Sequence, residues 1–144
     1  IVPFISMIQS VDSFNLLKVI DKEASKVKRN INCLLQFYIA DEETKFGFSF
    51  DEAHSMMISD EFQRLKNVSI CGVMGMATFT DDEEKIRNEF RFLKKCFDNL
   101  KSEFYSGSKT FSEISMGMSG DFMIAIGEGS TMIRTGSIIF GERN

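Results

Sequence analysis

Residues 31–39 read INCLLQFYI, a nearly continuous apolar run in which polar and apolar positions do not alternate. A strand with one face in water alternates, whereas a strand covered on both faces does not. Covering both faces of such a strand takes helices, and the flanking sequence supplies them. Val68–Met74 is a second apolar run, and Phe4–Ile8, Ile114–Met116 and Met132–Thr135 are shorter ones. Between them the spacing turns helical. After a cap at Asp12, the residues Phe14, Leu17, Ile20, Ala24 and Val27 fall on one face. Ser49 and Glu52 form a capping box for a short helix to Ile58. Thr80 and Glu83 form another, opening the longest helix, which runs to about Ser102. Its stripe of Ile86, Phe90, Leu93, Phe97, Leu100 and Phe104 steps by four and three. Asp121–Glu128 reads as a helix of one to two turns.

Five strands alternating with four helices predict an α/β protein with a parallel sheet. A glycine-rich GxGxxG turn after the first strand is absent, and so is GxxxxGK[ST]. The spacing fits a (β/α)8 TIM-type barrel, but such barrels take about 250 residues, against 144 here. The expectation is a single domain, residues 1–144, forming the C-terminal part of a barrel with about three N-terminal βα units missing. An incomplete barrel has two open edges. The full-length form is expected to be a monomer, and for this fragment the expectation is either self-association through those edges or a missing region that is present but disordered.

Composition narrows the function classes. Hydrophobic residues make up 43% and charged residues 26%, the balance of a folded globular chain. A net charge of -4 without a basic stripe argues against nucleic acid as a partner. No apolar run approaches the roughly 20 residues of a membrane span, and the opening residues lack a signal-peptide pattern. Cys33, Cys71 and Cys96 include no CxxC pair and read as buried reduced thiols of a cytoplasmic protein. With His54 the single histidine, no His/Cys metal site is predicted. His54 itself reads as a structural or surface residue.

Two turns near the C-terminus carry the chemistry. Gly117-Met118-Ser119-Gly120-Asp121 follows a strand and opens a helix, a place where outward-facing amides and the Ser119 hydroxyl suit a phosphate. The same residues also read as plain capping, with Ser119 the N-cap and Asp121 facing the helix dipole. Arg134-Thr135-Gly136-Ser137 is the second turn. Arg134 falls within an apolar strand and needs a partner there, which is either a ligand or an interior carboxylate. Gly136 lets the backbone approach a ligand, and Ser137 adds a hydroxyl and an amide. The pair suggests a phosphorylated cofactor with a ring for the arginine to address. Lys45 also lies at a predicted strand end, though the acidic stretch 41–43 beside it suggests a solvated surface pair. Met74 and Met76 read as packing residues.

Several runs make the chain resemble a known family. They are IQSVDS at Ile8–Ser13, CLLQFYIADEETKFGF at Cys33–Phe48, GVMGMAT at Gly72–Thr78, ISMGMSGDF, and GSTMIRTGSIIFGERN at the end. In collinear order they resemble the YggS/PROSC family of pyridoxal 5′-phosphate (PLP) homeostasis proteins, which is similar in fold to the N-terminal barrel of alanine racemase. The resemblance implies PLP as cofactor, carried as a Schiff base on a lysine upstream of Ile1, so that its occupancy in this fragment is in question. It implies that Ser119, Gly136 and Ser137 hold the phosphate, with Gly117 and Met118 in the same turn, and that Arg134 faces the pyridine nitrogen. It further implies a carrier or regulator with PLP-dependent apo-enzymes as partners rather than a catalyst. The alternative is a PLP-dependent amino-acid racemase of the alanine type. That enzyme needs a second acid/base group, for which Tyr38 is better placed than Tyr105.

Overall fold

The computed structural model describes residues 1–43 and 46–143. Five parallel strands run through it: β1 (Met7–Val11), β2 (Ile31–Gln36), β3 (Val68–Met74), β4 (Glu113–Met118) and β5 (Met132–Arg134). Each pairs with its successor in sequence, in the order β1-β2-β3-β4-β5. The crossovers carry α1 (Phe14–Lys26), α2 (Phe50–Ile58), α3 (Asp60–Gln63), α4 (Glu83–Phe104) and α5 (Phe122–Gly127), and α6 (Ser137–Phe140) follows β5.

Because the strand order never reverses, right-handed crossovers put the helices on one face and leave the other face to curl inward. On a flat sheet, β1 and β4 would lie three spacings of about 4.8 Å apart. Yet the Ser115 hydroxyl on β4 donates to Gln9 Oε1 on β1 at 2.8 Å. The sheet is therefore a curled half-barrel, and these two side chains reach each other across its interior.

The curl explains the unbroken apolar run of β2. Ile31, Cys33 and Leu35 belong to the outer core, which also holds Leu17, Ile20 and Ala24 of α1 and the long stripe of α4. Leu34 points the other way and packs with Cys71, Met74 and Met7 inside the barrel. Phe90, Leu93 and Leu100 of α4 are fully buried, each such side chain contributing about 1.5–3 kcal/mol. His54 ties α2 to α4: its Nε2 lies 2.8 Å from Glu103 Oε1, with its ring between Phe50 and Phe104. All three cysteines are free and buried, and burial pushes the Cys33 thiol up to about 12 and Cys96 up to about 11. Among the described residues no helix is long and apolar enough to cross a membrane.

Several boundaries differ from the sequence reading, each for a local reason. The first strand begins at Met7 rather than Phe4, because residues 1–4 form a turn closed by the Phe4 amide on the Ile1 carbonyl at 2.9 Å. Phe4 is left 91% exposed. Ser13, not Asp12, caps α1, accepting from the Leu16 amide at 3.1 Å. Asp82, not Thr80, caps α4, while the Thr80 hydroxyl accepts from the Asp82 amide. β2 ends at Gln36, after which Phe37 bridges to Phe48. β4 is longer than Ile114–Met116, and β5 stops at Arg134. The helices number six among the described residues rather than four, because α3 and α6 are single turns too short to show a period.

Candidate functional site

The carboxyl ends of the strands open into a cleft of about 970 Å³. Open parallel barrels place ligands at this rim. Five of the six residues singled out from the sequence line it: Met118, Ser119, Arg134, Gly136 and Ser137. Gly117 does not. It lies behind the wall with φ at +105°, and a Cβ on it would stand 2.8 Å from the Ala125 Cβ. Its part is to let β4 pass close beneath α5.

The turn after β4 is locked by Asp121. The Asp121 carboxylate accepts from the Met118 amide at 2.8 Å, and the Asp121 amide donates to the Met118 carbonyl at 3.2 Å. Asp121, not Ser119, therefore occupies the position before α5, and the simple capping reading of Ser119 fails. The Ser119 hydroxyl instead accepts from the Gly136 amide at 3.3 Å. This bond joins the turn after β4 to the turn after β5, so both glycine–hydroxyl turns border one space. A Cβ built on Gly120 or on Gly136 would meet nothing within 4 Å. The chain's own packing therefore does not account for glycine at either position.

Arg134 ends β5 and reaches across β4. Its Nη2 donates to the Gly75 carbonyl at 2.9 Å, just beyond β3. Its Nε is buried and has no partner among the described residues. The interior-carboxylate reading of this arginine is replaced by a main-chain carbonyl on one side and an unmet donor on the other. Burial lowers the guanidinium pKa, and the nearby Asp121 charge opposes that shift. A half-buried, incompletely paired cation with a buried donor is unfavourable in the protein alone. The arrangement suits an acceptor-rich or anionic ligand.

The remaining wall mixes apolar side chains with charged ones, among them Glu42, Asp81, Glu142 and Arg143. Tyr38, Phe46, Met76 and Phe79 contribute to it, with Phe79 fully exposed at the rim. Met74 is buried inside the barrel, whereas Met76 is 41% exposed. Tyr105 is remote from the cleft, stacked on Phe111 with ring centroids 4.3 Å apart, and burial pushes its pKa up to about 12. Among the described residues no lysine lines the cleft, and Lys45 lies outside them. No cluster of three or more metal-ligating side chains occurs among the described residues.

Two participants escaped the sequence reading. The Gly75 carbonyl is a main-chain atom and leaves no signature in residue type. Glu89 does leave one: it interrupts the apolar stripe of α4 between Ile86 and Leu93, and it proves to be buried.

A family model described as the alanine racemase N-terminal domain matches residues 5–144. A pyridoxal phosphate homeostasis protein of Helicobacter pylori is 38% identical over 95% of this chain, which spans 58% of that protein's length. Among solved structures, an unknown protein from Bifidobacterium adolescentis superposes with a TM-score of 0.83 at 34% identity. The match covers 96% of this chain and 54% of that one. PipY of Synechococcus elongatus, solved with PLP bound, superposes with a TM-score of 0.81 at 26% identity, covering 97% of this chain and 63% of that one.

Proposed function

The chain belongs to the alanine racemase N-terminal domain family, and from that premise we propose that it holds the phosphate and ring nitrogen of PLP in a PLP homeostasis protein. The protein acts as a carrier or regulator rather than a catalyst, with PLP-dependent apo-enzymes as recipients. The observation that carries this reading is the meeting of the Ser119–Gly136 link and the unmet Arg134 Nε in one cleft. The relatives' names and the PLP-bound PipY structure support it.

The residues present fit the cofactor. Ser119 and Ser137 offer hydroxyl donors to a phosphate, and the space beside Gly120 and Gly136 admits its oxygens. Arg134 offers a fixed cation, held in place by the Gly75 carbonyl. When bound, PLP supplies an aldehyde that captures amines and a ring that draws electron density from them. Arg134 donates hydrogen bonds but takes up no proton, so beside the ring nitrogen it holds that atom unprotonated. Such a ring draws electrons less strongly, which suits holding a cofactor better than turning over amino acids.

The test is a PLP titration followed by absorbance, with inorganic phosphate as competitor. Phosphate should displace PLP, and Ser119→Ala with Ser137→Ala should weaken binding by about tenfold or more. Binding that ignores both phosphate and the double substitution would refute the assignment. One observation keeps a racemase as a second reading: Tyr38 lines the cleft. Alanine racemisation by the wild type that disappears in Tyr38→Phe would favour it, and no turnover in either favours the carrier.

A further inference from the structure

Glu89 is the one charged residue buried among the described residues, at 9% exposure, and the cofactor contacts proposed above do not use it. Both of its carboxylate oxygens go to a single residue. Oε1 accepts from the Thr78 amide at 2.6 Å, and Oε2 accepts from the Thr78 hydroxyl at 2.8 Å. That hydroxyl accepts in turn from the Asp41 amide at 2.9 Å. Lys85, one turn earlier on the same face of α4, donates to the Asp41 carboxylate at 3.0 Å. A single helix face thus grips the segment after β3 and the segment after β2 together.

Both segments form the cleft rim. Ala77, Thr78 and Phe79 line it from one side of this bridge, Tyr38 and Ala40 from the other. Residues 76–81 belong to neither helix nor strand, so ladder hydrogen bonds do not set their position. Burying a carboxylate is unfavourable unless donors compensate, and here the donors are those of the rim itself. The polarity also matters. A carboxylate only accepts, so it draws the hydroxyl hydrogen of Thr78 toward α4 and leaves an oxygen lone pair for the Asp41 amide. We propose that Glu89 is a positioning residue for the cleft, setting both rim segments through Thr78; this rests on the cleft being the PLP site. Glu89 touches no ligand and acts only through the threonine.

Three variants test it: Thr78→Val, which removes the bridging hydroxyl at nearly constant shape; Thr78→Ser, which restores it; and Glu89→Gln, which places a donor against it. For each, PLP affinity, amide hydrogen exchange at Asp41 and the thermal midpoint are measured. Thr78→Val should weaken PLP binding by about tenfold, the loss of one well-placed hydrogen bond near a charge, and speed Asp41 exchange. Thr78→Ser should recover both, and Glu89→Gln should fall between. If Thr78→Val fails to fold, Glu89→Gln compared with Thr78→Ser gives the same comparison. A lower midpoint with unchanged PLP affinity and unchanged Asp41 exchange would overturn the proposal, leaving Glu89 a purely structural residue. Wild-type protein that binds no PLP would sink the functional reading. The positioning link would then stand or fall on Asp41 exchange alone.

Discussion

Replacing Arg134 with methionine should separate what the arginine does to the fold from what it does in the cleft. In the protein alone, its buried Nε donor has no partner among the described residues, a defect worth about 1–3 kcal/mol. Against that stands the Nη2 bond to the Gly75 carbonyl, a charged hydrogen bond contributing about 1.5–3 kcal/mol. Methionine removes both, keeps an apolar stem of similar length and needs no desolvated charge. The two contributions nearly cancel, so the stability change should lie within about 1 kcal/mol of zero, or about 2–4 °C in Tm for a domain of this size. Ligand binding has no such offset. Losing the cation opposite an acceptor should weaken PLP by roughly 10- to 150-fold, the equivalent of one charged hydrogen bond. Thermal unfolding without PLP and absorbance titration with it read the two effects separately. A loss of more than about 3 kcal/mol of stability with unchanged PLP affinity would refute the reasoning and make Arg134 a fold residue.

Two further outcomes follow from the packing. Gly117→Ala puts a methyl 2.8 Å from the Ala125 Cβ on a backbone with φ at +105°, and should cost about 2 kcal/mol or more in urea unfolding. A negligible loss would mean that α5 moves freely away from β4. Burial raises the Cys33 thiol from 9.0 to about 12, so the folded state keeps a proton that the unfolded chain sheds first. Its contribution to stability is therefore complete below pH 9 and is lost as pH rises toward 12. Cys33→Ala should flatten the decline of Tm across that window, and an unchanged slope would contradict the buried-thiol account.

The long helix was legible because α4 runs for 22 residues, enough turns for the 3.6-residue period of its stripe to exclude other readings. β2 was legible as a doubly covered strand because its apolar residues face both the helices and the barrel interior. Single-turn α3 and α6 were not, since four residues carry no period. The caps slipped by one or two residues where neighbouring polar residues compete, as with Asp12 against Ser13 and Thr80 against Asp82. Such choices depend on the exit angle of the chain, which neighbouring elements impose.

For the site, the residue types of the two C-terminal turns suggested a phosphorylated cofactor with a ring, beside a plain capping reading of Ser119 and a carboxylate partner for Arg134. Their meeting depends on contacts far apart in the chain. The link from Ser119 to Gly136 spans two crossovers' ends, and Arg134 reaches back to Gly75 across an intervening strand. Glu89 holds Thr78, which holds Asp41, three points contributed by one helix and two different loops. Local periodicity and turn chemistry act over a few residues and can be read from the chain alone. Which side chains share a cleft is set by the curl of the sheet, a collective property of five strands that no single segment encodes.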